Sequence, residues 1–207
     1  DTVVSGNTAS TSAGGIQIDA TNTVSLYRST IEWNTASSGT GGGLQIGATV
    51  TSTIVDCMFD NNYASSHGGA VYGQNYQTMN IKNSMFSNNR GYYGGALFTL
   101  NYAKPTIVGS TFYSNTGAYG GGAMYISTSS ALYPTIITNC NISHNSVTTS
   151  GNGGGVNFLT GVGATMTNVV FIGNYAKASG GALYQTGATT KSTCVNCVFE
   201  DNAAVNG

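Results

Sequence analysis

The amino-acid sequence predicts an all-β fold, a parallel β-helix in which the chain winds through about seven similar coils. Three observations support this prediction. A motif recurs about every 28 residues, apolar residues alternate within each unit, and the composition disfavours helices, with 30 Gly and only 6% charged residues. A fixed period of roughly 20 to 50 residues indicates a solenoid, because each unit can bury its apolar face only against its neighbours.

The recurring unit carries two motifs. The first has the form FxxN, with Ile or Val in place of Phe in three of its eight copies, at 4–7, 31–34, 59–62, 86–89, 112–115, 142–145, 171–174 and 199–202. The second is three small residues followed by an aliphatic one, with seven copies at 13–16, 41–44, 68–71, 94–97, 121–124, 153–156 and 180–183. The two motifs stay in step, which predicts one structural unit per period.

The spacing inside the unit predicts strands joined by a bend. Cys57 and Phe59 are two residues apart, as in a strand, whereas Ile54 and Cys57 are three apart, so one residue is extra. The extra position is Asp, Asn or Gly, which tolerate a left-handed backbone, in every copy except that of Arg28: Arg28, Asp56, Asn83, Gly109, Asn139, Asn168 and Asn196. Two strands meeting at the bend and one after the small triplet predict three short strands per coil.

Stacking of the coils predicts three inward columns that form a continuous apolar core. The first is Leu26, Ile54, Ile81, Ile107, Ile137, Met166 and Cys194. The second is Ile31, Phe59, Phe86, Phe112, Ile142, Phe171 and Phe199. The third is Ile16, Leu44, Val71, Leu97, Met124, Val156 and Leu183.

The last residue of FxxN predicts a structural ladder at a turn, in which each amide hydrogen-bonds backbone groups and its neighbours above and below. Its members are Asn34, Asn62, Asn89, Asn115, Asn145, Asn174 and Asn202. The small triplet lets the chain pass close to the next coil, or adopt φ values that a Cβ forbids. A phosphate cradle is disfavoured, because it needs one special copy followed by a helix, whereas seven copies here lead into strands.

Composition excludes some classes of partner. The formal net charge of −1 offers no basic surface for nucleic acid, and no apolar run is long enough to span a bilayer. His67 and His144 have no second ligand type at a suitable spacing, so no metal and no cofactor are predicted. We expect residues 1–207 to form a single solenoid, a segment of a longer chain.

These motifs resemble the repeats of polymorphic outer membrane proteins, which are marked by FxxN and by GGA followed by Ile, Leu or Val. The resemblance covers the whole chain. It implies a right-handed β-helix, an extracellular or cell-surface location, and adhesive or structural work.

One predicted outward column carries aromatic residues directly after the third core column. Tyr72, Phe98 and Tyr125 are consecutive in this column, and Tyr184 follows after Asn157. We predict an exposed stripe that either stabilises the sheet by ring stacking or binds sugars or a partner chain.

A sequon begins at Asn141, whose side chain is predicted to point outward, so glycosylation is expected if the source is eukaryotic.

Few residues suit catalysis. Stacking brings together only Glu32 and Asp60, with Asp56 near Arg28, which favours a solvated charge cluster with an ion pair over a lyase or hydrolase site.

Cys57, Cys140 and Cys197 fall in one inward column of small residues. Cys194 and Cys197 are interpreted as two buried thiols, with a disulfide, a redox pair and half of a zinc site as alternatives.

The sequence therefore predicts a non-enzymatic extracellular β-helix, an adhesin or a structural filament or surface-layer component. Its expected partners are a glycan, a protein surface, or further copies joined end to end, with no nucleic acid and no membrane insertion. The alternatives are a polysaccharide lyase or hydrolase, and an ice-binding β-helix, although only scattered outward Ser and Thr support the latter.

Overall fold

The computed structural model describes residues 1–19, 23–127, 135–159, 163–187 and 191–206. All its regular secondary structure is β, arranged as four parallel sheets that run the length of the solenoid. Neighbouring strands in every sheet come from successive coils, so hydrogen bonds connect each coil to the next. The predicted parallel β-helix is confirmed.

We number the sheets in the order in which the chain visits them. Sheet 1 carries the FxxN motifs, and its strands are Val3–Ser5, Thr30–Glu32, Met58–Asp60, Met85–Ser87, Thr111–Tyr113, Asn141–Ser143, Val170–Ile172 and Val198–Glu200. Sheet 2 follows the ladder asparagines, and its strands are Thr8–Ala9, Thr35–Ala36, Tyr63–Ala64, Arg90–Tyr93, Thr116–Gly120, Ser146–Val147, Tyr175–Ala176 and Ala203–Ala204.

The other two sheets have seven strands each. Sheet 3 follows the small triplets, and its strands are Ile16–Ile18, Leu44–Ile46, Val71–Gly73, Leu97–Thr99, Met124–Ile126, Val156–Phe158 and Leu183–Gln185. Sheet 4 precedes the bend, and its strands are Thr23–Tyr27, Thr51–Val55, Thr78–Lys82, Lys104–Val108, Thr135–Thr138, Ala164–Thr167 and Thr193–Val195.

Sheet 2 was not predicted, so the expectation of three strands per coil is wrong by one. Most of its strands have only two residues, and the second is a small inward residue such as Ala36, Ala64 or Gly91. A pair of residues is too short to show the alternation that identifies a strand. These two residues form a strand only because they pair with the equivalent residues of the neighbouring coils.

The three predicted core columns are confirmed by the strand register. Ile54 pairs with Ile81, Phe59 with Phe86, and Val71 with Leu97, and the same pairing continues along each column. Phe59, Phe86 and Phe112 are fully buried, and their rings stack at centroid distances of 4.9 and 4.7 Å. Burying each such ring contributes roughly 1.5–3 kcal/mol.

The predicted bend between sheets 4 and 1 is confirmed in every coil, since all seven residues have a positive φ. Even Arg28, the exception by residue type, has a φ of 45°. A second left-handed column lies directly before the ladder Asn and was not predicted: Gly6, Trp33, Asn61, Asn88, Ser114, His144, Gly173 and Asp201.

Both explanations of the small triplet are confirmed: its first position needs a left-handed φ, and its second position lies close to the next coil. From Gly41 onward the first glycine has a left-handed φ, between 59° and 69°. The second glycine approaches the next coil: a Cβ on Gly95 would lie 2.1 Å from the carbonyl oxygen of Gly122 and 2.6 Å from the backbone nitrogen of Thr116. The triplet is therefore the point at which a side chain would separate the coils.

Candidate functional site

The asparagine ladder is present and structural. The backbone N–H and the Nδ2 of Asn62 both donate to Oδ1 of Asn89 at 3.0 Å, and Nδ2 also donates to the Ile31 carbonyl at 2.8 Å. The same three bonds recur from coil to coil, and Asn7 extends the predicted ladder by one member. Buried amides satisfied in this way fix the turn and hold successive coils in register.

The predicted aromatic stripe is continuous, but it is not exposed. Tyr72, Phe98 and Tyr125 are in register on sheet 3, with ring centroids 5.7 and 5.3 Å apart and nearly parallel planes. However, Phe98 is only 4% exposed, and Tyr72 and Tyr125 are half-buried. The expectation of an exposed stripe is therefore wrong at its centre.

The stripe is covered by the residue that precedes each small triplet. The His67 ring lies 4.4 Å from that of Phe98 in an edge-on arrangement, and the Tyr93 ring lies 5.0 Å from that of Tyr125. His67 and Tyr93 are themselves paired by a β-bridge between neighbouring coils. The residues that lead from sheet 2 into each small triplet, among them the last residue of the strand Arg90–Tyr93, thus fold over the outer face of sheet 3.

The same cover exists in other coils, with polar groups. Thr40 donates to Oε1 of Gln45 at 2.7 Å, and Nδ2 of Asn157 donates to the Asn152 carbonyl at 3.2 Å. Gly120 occupies the covering position next to Tyr125, and a Cβ there would lie 3.0 Å from that ring. A second, thinner packed layer therefore lies outside sheet 3.

A set of tyrosines forms the outside of this layer. We call Tyr63, Tyr92, Tyr93 and Tyr119 the tyrosine patch. The register of sheet 2 shifts here, because Gly91 pairs with Gly117 whereas Tyr93 pairs with Gly120. The coil of Tyr119 therefore has one extra residue, a β-bulge. Bulges re-aim side chains, and here the Tyr92 and Tyr119 rings stack at 4.3 Å. Tyr92 and Tyr63 are 40% and 38% exposed, so the patch reaches solvent.

Arg90 lies within this patch. Its strand position pairs with Tyr63, and its guanidinium carbon is 6.0 Å from the centroid of the Tyr63 ring. Together with Tyr92, these residues line a shallow depression of about 100 Å³.

The tyrosine patch was not predicted from the sequence, and neither was the packing of His67 against the aromatic stripe. A signal was present, because the segments between the ladder Asn and the small triplet read RGYY at 90–93 and TGAYG at 116–120. These are the coils that contribute Phe98 and Tyr125 to the stripe. Aromatic residues in two neighbouring segments of one coil indicate a shared cluster.

Burial shifts the titration of the covered groups. It lowers the pKa of His67, because the charged imidazolium loses hydration, and Nδ1 of the ring lies 2.5 Å from Oγ of Ser66. Burial also raises the pKa of Tyr72 and of Tyr125, the latter with a further contribution from Tyr93. All three groups are therefore held in their neutral forms near pH 7.

Tyr184 and Asn141 stand apart from the patch. Tyr184 pairs with Asn157 on sheet 3, so Asn157 separates it from Tyr125 and the predicted stripe ends there. Asn141 is exposed on sheet 1, as predicted for an outward position, and its glycosylation stays a prediction.

The two carboxylates considered for catalysis are in register, as predicted, but the Asp60 carboxylate already accepts hydrogen bonds from neighbouring side chains. Asp60 pairs with Glu32 on sheet 1. Its carboxylate accepts from Nδ2 of Asn61 at 2.6 Å, Oγ of Ser87 at 2.5 Å and Nδ2 of Asn88 at 2.9 Å. The bonds from Ser87 and Asn88 connect one coil to the next, whereas the bond from Asn61 lies within the coil.

The expected ion pair of Arg28 with Asp56 is replaced by another. Arg28 Nε lies 2.9 Å from Oδ1 of Asp1, which is the one salt bridge among the described residues.

The cysteines are free thiols. Cys57 and Cys140 are buried as predicted, and each thiol donates to a carbonyl two residues earlier, as Ser84 does with its hydroxyl. Cys197 is half-buried, but Cys194 is exposed, so the interpretation of two buried thiols is wrong for Cys194. It lies on the last strand of sheet 4, where no further strand of the described chain covers it. The disulfide alternative is not formed.

Within the described ranges, no group of three or more His, Cys, Asp or Glu side chains is placed to hold a metal ion. In the same part of the chain, no helix has the length and hydropathy needed to cross a membrane.

A family model described as a right handed beta helix region matches residues 14–205. No curated protein and no solved structure matches the chain.

Proposed function

This chain belongs to the right-handed β-helix family, and we propose that it is a non-enzymatic extracellular or cell-surface protein that binds a glycan or a protein through the tyrosine patch. The family includes surface proteins as well as enzymes that act on glycans. A fold shared by both leaves the role to be argued from the surface.

The motifs support a surface location. FxxN and GGA followed by an aliphatic residue resemble the repeats of polymorphic outer membrane proteins, which are surface-exposed. Only 6% of the residues are charged, and many exposed positions hold Ser, Thr or Asn. We infer that the chain works outside the cell, as an adhesin or as part of a surface layer.

The observation that carries the binding role is that Tyr63 and Tyr92, both partly exposed, stand beside one depression on the surface. The sheet 2 position of Tyr63 is Thr35, Thr116 or Ser146 in other coils, which stack equally well. Partly exposed tyrosines grouped around one depression, one of them at a position that other coils fill with smaller residues, are typical of a binding surface.

The experiment replaces the stacked pair of the patch, Tyr92→Ser with Tyr119→Ser, and measures binding of the purified protein to cells and to a glycan array. We expect affinity to fall at least about tenfold, or 1.4 kcal/mol. The matched control is Tyr76→Ser with Tyr102→Ser, another stacked pair at 4.6 Å that lies in the connections between sheets 3 and 4. If circular dichroism is unchanged in both variants, equal binding by wild type and the patch variant would show that the patch is not the binding surface.

A lyase or hydrolase is the first alternative. It would place Glu32 and Asp60 as the reacting pair, but Asp60 already accepts three hydrogen bonds from neighbouring side chains. Cleavage of pectin or alginate by the purified protein, abolished by Glu32→Gln and by Asp60→Asn, would favour this alternative.

Ice binding is the second alternative, and the register of sheet 4 bears on it. One outward rank contains Thr53, Thr106, Thr165 and Thr193, but Asn80 and Ile136 interrupt it. Thermal hysteresis of the solution would favour this alternative.

A structural filament, in which copies associate end to end, would show itself as sedimentation that depends on protein concentration.

A further inference from the structure

We propose that the depression between Tyr63, Arg90 and Tyr92 binds the carboxylate of a terminal acidic sugar. This inference rests on the proposed function and deepens it, because it names the class of glycan and the group that recognises it.

The strand register creates the depression. Tyr63 and Arg90 are paired neighbours on sheet 2, so their side chains leave the solenoid side by side. Gly91 follows Arg90 and is buried, and Tyr92 is exposed again, as the alternation of a strand requires. The floor is made of small residues, Ala64, Gly91 and Ala118, so the wider side chains stand around it as walls.

The charge of Arg90 is available to a ligand. None of the described carboxylates lies within salt-bridge distance of its guanidinium. The guanidinium carbon lies over the face of the Tyr63 ring, 6.0 Å from the ring centroid. Contact with a ring holds the planar guanidinium while leaving its N–H groups free to donate. The fork geometry of these N–H groups matches a carboxylate with two parallel hydrogen bonds.

Arg90 is also not required by the fold. The positions paired with it on either side are Tyr63 and Thr116, and the next coil has Ser146. In a chain with only six Lys and Arg, one cation set between two tyrosines is a chemically specific feature. Its use is to select an anionic group at a surface that is otherwise nearly neutral.

The size and walls of the depression favour a single sugar over a peptide. Its volume of about 100 Å³ is below the roughly 300–1,000 Å³ of pockets that enclose a drug-sized ligand. One sugar ring can lay its C–H face on an exposed tyrosine while its carboxylate meets Arg90. An acidic peptide would more naturally pair with a free sheet edge, but the strand that carries Arg90 has partners on both sides.

The test measures binding of sialyllactose and of lactose to the full chain by isothermal titration calorimetry. The two probes differ only by the terminal acidic sugar. We expect sialyllactose to bind at least about tenfold more tightly than lactose, and we expect Arg90→Gln to remove that preference. Lys177→Gln, which removes an exposed cation elsewhere on the solenoid, should leave it unchanged.

Other outcomes separate the inference from the proposed function. Equal binding of both sugars, lost in the Tyr92→Ser with Tyr119→Ser variant, would overturn the acidic-sugar inference while supporting glycan binding by the patch. Binding of poly-glutamate as tight as that of sialyllactose would overturn the claim that a sugar is recognised. An Arg90→Gln variant that keeps the native circular dichroism and the full preference for sialyllactose would overturn the role of Arg90.

Discussion

Two regions of each coil differ in how they use the repeat. At the ladder corner every coil has the same residue: Asn34, Asn62, Asn89, Asn115, Asn145 and Asn174 are at most 1% exposed. At the covering position before the small triplet, the residue varies along the solenoid: Ser12, Thr40, His67, Tyr93, Gly120, Asn152 and Ser179.

The difference follows from what each position must contact. A ladder Asn hydrogen-bonds the same atom of the same residue in the next coil, so only Asn satisfies both neighbours. A covering residue contacts the outer residue of sheet 3, and each coil can solve that contact separately. Repetition therefore indicates where coils must match, and variation indicates where the surface is free to specialise.

The largest loss of stability is expected where a new side chain keeps one coil from approaching the next. In Gly95→Val, the new Cβ would lie 2.1 Å from the Gly122 carbonyl oxygen and 2.6 Å from the Thr116 nitrogen. Because both atoms are backbone, they cannot rotate away, and we expect a loss of more than about 4 kcal/mol in the free energy of unfolding. Urea denaturation followed by circular dichroism measures it.

The control for Gly95→Val is Gly173→Asn. Gly173 has a φ of 62° in a column that has Asn61 and Asn88 in other coils, so the change should be nearly neutral. A similar loss in both variants would mean that close approach of the coils is not the reason for the triplet.

The ladder predicts the next largest effect. In Asn89→Ala, the backbone N–H of Asn62 loses its acceptor and the Phe59 carbonyl loses a donor, both in the interior. We expect a loss of roughly 2–4 kcal/mol, since each unsatisfied buried group costs about 1–3 kcal/mol. Asn7→Ala is the matched control, because Asn7 is exposed, and it should cost about 1 kcal/mol or less. Equal losses at the two positions would contradict the view that the interior ladder holds the coils in register.

The covering layer predicts the smallest effect, and it depends on pH. Because burial lowers the pKa of His67, the unfolded chain takes up a proton at a higher pH than the folded chain does. Stability is therefore complete above the ordinary His pKa of about 6.5 and falls as the pH drops through the folded pKa. The loss should stay below about 1 kcal/mol, since water still reaches the half-buried ring.

This pH effect is measured as the change in urea midpoint between pH 7.5 and pH 5 for wild type and for His67→Gln, in which the titrating ring is absent. The ring faces Tyr72, Tyr93 and Phe98, with Ser66 at its Nδ1, and none of these side chains is a carboxylate, an amine or a second imidazole. The variant should lose less stability on acidification than wild type. An identical pH dependence would show that His67 is not part of the covering layer in solution.

Several of the repeating parts of this protein could be predicted from the sequence alone. The period, the three core columns, the bend and the Asn ladder all follow from the rule that equivalent residues of successive coils contact each other. A side chain that must fit its own copy leaves the same letter in every unit, as Phe59, Phe86 and Phe112 do.

Two kinds of feature needed the tertiary structure: short elements that recur without a visible strand period, and contacts that are made only once. Sheet 2 is too short to show a period, and the stripe of Tyr72, Phe98 and Tyr125 looked exposed because strand alternation describes one sheet and not the segment folded over it. His67 and Tyr93 reach that stripe from outside the strand, across coils of different loop length. A contact made once, between segments of unequal length, has no periodic trace in the sequence, and the tyrosine patch is built from such contacts.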